Sequence, residues 1–223
     1  NVAHSKNTPL SPTDGRWRFI MVDNDDALTS AETNSLNGLY GTTGIQLIFT
    51  KLAANQAYKN KFINRFADLL NSHFSTNRTL PIYNAKLQQY SPEIAGDYLR
   101  WERLSVSSWN NEMNKVIQYF STRPNFQRTH IIQRFGINGT YNLTVKTSNT
   151  NHGFVKINTI NINNETLGIV GDYKVWTGTY FDNIPLNITA VPRAGYKFNH
   201  WIYNGQILND ATLTINSAFD TQY

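Results

Sequence analysis

Three carboxylates stand close together near the start of the chain, Asp23, Asp25 and Asp26, directly after the apolar run Phe19-Ile20-Met21-Val22. A strand that ends in D-x-D brings two carboxylates to one side of its tip, because side chains alternate along extended backbone. Such a pair suits a hard cation: Mg²⁺ takes one or two carboxylates, keeps several waters and completes its shell with substrate phosphates. Asp23 and Asp25 are therefore the candidate metal ligands, and Asp26 should point away. Aspartates also cap helices and build turns, so spacing alone leaves a solvated turn as the alternative.

Other chemistry is poorly provided for. Gly38, Gly41 and Gly44 follow no strand, so they do not form a phosphate-cradling loop of the P-loop or dinucleotide-binding kind. His4, His73, His130, His152 and His200 lie far apart, without the short spacings of a zinc site, and no G-x-S-x-G marks a serine nucleophile. His73 reads as a helix-end residue and His200, beside Trp201, as a strand residue. The aromatics Trp176, Tyr180, Phe181, Tyr196, Phe198 and Trp201 have the make-up of a sugar-binding platform, yet a small sheet needs the same residues for its core, which is the reading preferred here.

Composition narrows the classes further. The 223 residues are 40% hydrophobic, 13% aromatic and only 16% charged, a folded chain with room for a core rather than a disordered one. Without cysteine there is no disulfide framework and no thiolate chemistry. The formal charge of +5 is mild and the basic residues are scattered singly, so nucleic acid is not an expected partner. No apolar run is long enough for a membrane-spanning helix. The start, Asn1-Val2-Ala3-His4-Ser5, has neither a methionine nor a signal peptide's apolar core, which reads as a fragment or processed product.

The elements that must position these residues change character along the chain. Residues 1–14 read as loop, Asp14-Gly15 as a turn, and Arg16 to Val22 as the second arm of a hairpin. A long polar loop over 29–44 follows. From Leu47 to Phe74 apolar residues recur every three or four positions, with Tyr58, Phe62, Phe66, Leu69 and Leu70 on the core face and Lys59, Lys61, Asn64, Arg65 and Asp68 on the wet one. Pro92 opens a second helix through Ile94, Tyr98, Trp101 and Leu104 or Ser105, Ser108 caps a third along Trp109, Met113, Val116 or Ile117, and Phe120, and Pro124 opens a fourth that stops at Gly136. Phe62, Trp101 and Trp109 are expected in one helical core. At Asn138-Gly139 the period switches to two, which marks a boundary between residues 1–137 and 138–223, each with its own core. Strands are expected over 141–145, 155–157, 160–162, 174–181, 184–191, 196–203 and 212–218, with Asn204-Gly205 as a hairpin turn. The fold class is α+β, a mostly helical part followed by a small antiparallel sheet or sandwich.

The segment Asp14-Gly15-Arg16-Trp17-Arg18-Phe19-Ile20-Met21-Val22-Asp23-Asn24-Asp25 resembles the D-G-x-W…D-x-D segment of the CotH (spore-coat protein H) kinase family. Asn55 to Asn71, Arg100-Trp101, Trp109 and Phe120-Ser121-Thr122-Arg123-Pro124 continue the likeness in order over residues 1–137. Gly153 to Asn158, Trp176 to Phe181 and Ala194 to Trp201 are similar to the β-module that accompanies the family in secreted Bacteroidetes proteins. The resemblance implies the C-terminal, mostly helical lobe of an atypical protein kinase, with Asp23 as the metal-binding counterpart of the D-F-G aspartate and Asp25 beside it. It implies Mg²⁺ and ATP as cofactors of the intact parent, transfer of the γ-phosphoryl to Ser or Thr of a protein substrate, and a secreted or cell-surface bacterial location. The catalytic aspartate and nucleotide lobe are expected upstream of Asn1, which leaves this chain inactive alone. The competing class is a non-catalytic surface module whose β part binds a surface glycan or serves as a spacer.

Overall fold

A computed structural model describes residues 2–4, 17–19, 28, 30–103, 105–203, 205–215 and 221–222. The chain forms two units, Asn1–Ser30 and Ala31–Tyr223. In the first, β1 (Val2–His4) pairs antiparallel with β2 (Trp17–Phe19), Val2 opposite Phe19 and His4 opposite Trp17. Trp17–Phe19 is strand as expected, but it pairs with Val2–His4, which reads as loop in the sequence, rather than with residues just before Asp14-Gly15. The Asp14-Gly15 turn lies outside the described residues.

The second unit opens with a short 3-10 turn (Ser35–Leu39) and then five helices. The periodic stretch expected as one helix is two: α1 (Gly44–Ala54) and α2 (Gln56–Asn71). Asn55 separates them. Its backbone is extended and its side-chain oxygen accepts the Tyr58 N–H at 3.1 Å, so it closes one helix and caps the next. α2 buries Ile63, Ala67 and Leu70; of the face expected from spacing, Leu70 is buried, Tyr58, Phe62, Phe66 and Leu69 are half-buried, and Phe74 lies beyond the helix and is exposed.

α3 (Thr76–Tyr90) is a helix the sequence reading missed, and it packs on α5 through Tyr83, whose ring lies 5.5 Å from that of Phe120. α4 (Ile94–Trp101) follows a 3-10 turn and ends at Glu102, whose φ is +51°. Trp101 is 57% exposed, so the shared core of Phe62, Trp101 and Trp109 does not exist in that form; Phe62 reaches the core and Trp109 is half-buried. The two helices expected around Pro124 are one, α5 (Val106–Phe135), capped by Ser105 rather than Ser108 and ended by Gly136 at φ +63°.

The period switch near Asn138 falls between α5 and β3 (Thr140–Lys146). β4 (Gly153–Ile157), β5 (Ile160–Asn161), β6 (Val175–Phe181), β7 (Leu186–Pro192), β8 (Trp201–Tyr203), β9 (Gln206–Leu208), β10 (Thr212–Ile215) and β11 (Thr221–Gln222) follow. One sheet has the order β10-β7-β4-β5, another β11-β3-β6, and β8 pairs with β9 alone. All pairings are antiparallel except β11 with β3. Tyr203 pairs with Gln206 across Gly205, which takes a positive φ of 75°, while Asn204 of the expected Asn-Gly turn lies outside the described residues. Alternation does the burying: Leu143, Val145, Ile157, Leu186 and Ile188 are essentially inaccessible.

The separate cores expected of the two halves are one. Ile63, Ala67 and Ile131 from the helices join Leu143, Ile157, Tyr180 and Phe181 from the strands in a single buried cluster. α2 lies against β6 to make this possible. The fold class is the α+β arrangement expected, a helical part followed by an antiparallel β part.

Candidate functional site

Asp23 and Asp25, the proposed metal ligands, lie outside the described residues, as does Asp26. What is described is the support at the start of their segment: Trp17–Phe19 is hydrogen-bonded strand, and the apolar run to Asp23 continues from it. Among the described residues no group of three or more His, Asp or Glu side chains gathers where a metal could be held.

Within the second unit the most committed ionisable group is Asp68, which the helical pattern placed on the wet face and the structure buries completely. Its carboxylate accepts from the Thr159 backbone N–H at 3.0 Å, the Thr159 hydroxyl at 2.5 Å, the Tyr180 hydroxyl at 3.3 Å and the Asn158 amide at 3.4 Å. Asn158 and Thr159 form the two-residue turn between β4 and β5, and Asn158 takes a positive φ of 43° there. Arg65, one helical turn before Asp68, donates to the Thr159 hydroxyl at 2.7 Å. Burial raises the pKa of Asp68, and the Thr159, Asn158 and Tyr180 hydrogen bonds pull it back down. Tyr180 is pushed well above its usual range, first by burial and then by the Asp68 carboxylate, so it remains a neutral donor. A carboxylate enclosed by four donors has no lone pair directed at a substrate. This group fastens α2 to the β4–β5 turn and to β6.

A second polar contact docks the end of the same helix. Asn71 donates to the Thr179 carbonyl at 2.8 Å and accepts the Thr179 N–H at 3.0 Å, as a neighbouring strand would, while Arg128 of α5 donates to its oxygen at 3.1 Å. The sequence carries a faint signal for both sites: polar residues at positions 64, 68 and 71 of α2 recur every three or four residues, a second stripe that periodicity assigns to solvent.

The histidines remain dispersed. His73 follows α2, as expected of a helix-end residue, with its Nδ1 3.1 Å from the Ser72 hydroxyl; burial and then the Arg78 and Arg65 charges lower its pKa. His130 is buried in α5 and is lowered first by burial and then by Arg123, against a hydrogen bond to the Glu32 backbone. His200 stands just before β8 rather than within the longer strand expected over 196–203. Of the aromatics weighed as a platform, Tyr180, Phe181 and Trp201 are core, Trp176 and Phe198 pack against it, and Tyr196 is exposed.

Two concavities stand out among the described residues of the second unit. One, of about 160 Å³, lies where α2 and the end of α5 meet residues 182–184, and includes Lys59 and Asp182. The other, of about 760 Å³, opens at one end of the β part. No helix among the described residues is long and apolar enough to cross a membrane.

Comparison with known families gives one match. The model of a family described as CotH kinase protein matches residues 3–127, more than half of the chain, from β1 into α5. The β part lies beyond the matched residues. No curated protein and no solved structure matches the chain.

Proposed function

The chain belongs to the CotH kinase protein family, and on that premise we propose that it is the mostly helical part of an ATP-dependent atypical protein kinase acting on Ser or Thr of a protein substrate. The observation that carries the reading is the extent of the match, which runs over residues 3–127 and so contains Asp23-Asn24-Asp25. Asp23 is then the metal ligand, with Asp25 as its helper. Mg²⁺ bound there would neutralise charge on the transferring phosphates.

Residues 138–223 are, in this proposal, an accessory β-module of a secreted or surface bacterial protein, as in Bacteroidetes relatives, joined to the kinase part over residues 1–137. Phosphoryl transfer also requires a loop over the phosphates, a nucleotide-binding lysine and a base. The sequence offers motif candidates only for the metal ligands, so the 223 residues by themselves are proposed to be inactive.

The test is transfer of labelled phosphate from ATP in the presence of Mg²⁺ by a polypeptide that carries these residues within a whole kinase domain. Asp23→Asn keeps the volume and removes the charge, and it should abolish incorporation while Asp26→Asn keeps most of it. Near-normal turnover of Asp23→Asn at saturating Mg²⁺ would overturn the assignment. Absence of transfer by the unaltered polypeptide would favour the non-catalytic surface module instead.

A further inference from the structure

The kinase reading makes no use of the large groove in the β part. Its volume, about 760 Å³, is in the range of about 300–1,000 Å³ that ligand sites occupy. It opens where the end of β3 and the start of β6 in one sheet face the start of β4 and the end of β7 in the other, with residues 196–202 as a further wall. Two of the segments singled out in the sequence, Gly153 to Asn158 and Ala194 to Trp201, therefore meet here.

Its lining has a one-sided charge. Lys174 and Lys197 line it together with His152 and His200, and among the described residues of the lining there is no Asp or Glu. A ligand seated among these groups meets cations without competing carboxylates, which favours an anion.

It also offers one flat ring to solvent. Tyr196 is 46% exposed and stacks on His152, with ring centres 4.1 Å apart and planes 17° from parallel. The pair is held in place. The Asn149 side chain lies 3.0 Å from His152 Nε2, the Arg193 N–H donates to the His152 carbonyl at 2.8 Å, and the Tyr196 N–H donates to the Arg193 carbonyl at 3.0 Å. Gly195, at φ +85°, makes that last turn without strain. A ring already fixed by its neighbours loses little freedom when a ligand covers it.

We propose that this groove binds an acidic polysaccharide, a chain of uronate sugars, with one sugar ring stacked on Tyr196 and carboxylates reaching Lys174 and Lys197. The stacking surface asks for a ring and the lysines ask for negative charge; a uronate supplies both in one residue. An acidic peptide supplies the charge without the ring. Single-stranded nucleic acid binds on successive stacking platforms, whereas here Trp201 is buried with its indole N–H on the Asp210 carbonyl, Phe154 and Phe198 are half-buried, and Tyr196 is exposed. The inference rests on no part of the kinase reading.

The test is affinity electrophoresis of the full chain in gels containing polygalacturonate, with neutral amylose gels beside them and trigalacturonate or a dT₁₂ oligonucleotide as competitors. Polygalacturonate should retard the protein and amylose should not. Tyr196→Ala should raise the apparent Kd about tenfold, which is about 1.4 kcal/mol, and Tyr196→Phe should restore it. Lys174→Gln combined with Lys197→Gln should weaken retardation and flatten its dependence on salt. Circular dichroism of each variant should match the parent, since the altered side chains are exposed. Failure of polygalacturonate to retard the unaltered chain would overturn the proposal. So would equal retardation of Tyr196→Ala, which would reduce the effect to the chain's net positive charge. Displacement by dT₁₂ at lower concentration than by trigalacturonate would replace the polysaccharide with nucleic acid.

Discussion

The hydroxyl of Thr76, at the start of α3, donates to the carbonyl oxygen of Phe120 in α5 at 3.2 Å. Phe120 is the residue whose carbonyl would receive the N–H of residue 124, and residue 124 is proline. Proline has no N–H to give, so the helix would carry an unpaired acceptor at that point. Thr76 supplies the missing donor from a neighbouring helix, and α5 runs through Pro124 for 30 residues.

Thr76→Val keeps the shape and removes the donor. It should destabilise the fold by about 1 kcal/mol, the typical net value of such a bond. Chemical denaturation of the two proteins measures this directly. An unchanged midpoint would mean that water serves the Phe120 carbonyl equally well.

Asp68 carries a larger consequence. Replacing it with Ala leaves the Thr159 N–H and the buried Tyr180 hydroxyl without an acceptor. An orphaned buried donor costs about 1–3 kcal/mol, so Asp68→Ala should lower stability by at least that much. Because the lost bonds run from α2 to the β4–β5 turn and β6, amide exchange should quicken at residues 157–160 before it does in β7. Exchange that quickens evenly over the strands would deny Asp68 its role as a fastener.

The pH dependence of stability should carry the same group's signature. Its folded pKa is raised, mainly by burial, so the protonated form is the one the fold favours. The stabilisation from that preference is complete below the unfolded pKa of about 3.9 and is lost as pH rises through the higher folded value. Asp68→Asn cannot titrate. The stability of the parent relative to Asp68→Asn should therefore fall as pH rises from about 4. A difference that grows over the same range would show that the four hydrogen bonds outweigh burial and hold the folded pKa down.

Which parts of this fold were legible follows from where the information sits. Leu70, Leu143 and Ile188 announce themselves through spacing, since burial on one face of an element repeats with the element's own period. The β8–β9 turn is legible because Asn-Gly acts locally. Asp68 was misread because its partners, Thr159 and Tyr180, come from strands far along the chain, and nothing near it in sequence distinguishes a buried aspartate from a solvated one. Pro124 reads as a helix start for the same reason: the donor that lets the helix pass through it belongs to Thr76. Asn55 is a local signal that was overlooked, a capping side chain within an apparently continuous stripe. Of the candidate site, the sequence names Asp23 and Asp25, and their placement lies outside the described residues.

Gly168 tests the seam between helices and strands from the other side. Its φ is +89°, and a Cβ at this position would stand 2.0 Å from the Ser72 carbonyl oxygen at the end of α2. Neither fault can be relieved by rotating a side chain, because the obstacle is backbone. Gly168→Ala should cost well over 1 kcal/mol, more than the few tenths that an open surface glycine would show. A neutral result from thermal denaturation would mean that the loop around 166–169 moves away from α2 at little cost.

The continuous core leads to the last expectation. Ile63, Ala67 and Ile131 pack in the same buried cluster as Leu143, Ile157 and Tyr180, and the Asp68 and Asn71 hydrogen bonds cross the same boundary. A helical part that lost the strands would expose its apolar face to water and lose the Asp68 and Asn71 hydrogen bonds, and the exposed apolar face is the larger cost. The two parts should therefore unfold together although their sequence periods differ. Far-ultraviolet circular dichroism at 222 nm, which follows the helices, and the fluorescence of Trp176 and Trp201, which follows the β part once the other tryptophans are replaced by Phe, should give coincident denaturant transitions. Asp68→Ala should be the change that begins to separate them. Two well-resolved transitions in the unaltered chain would show instead that each part holds its own stability and that the shared cluster is a contact between finished domains.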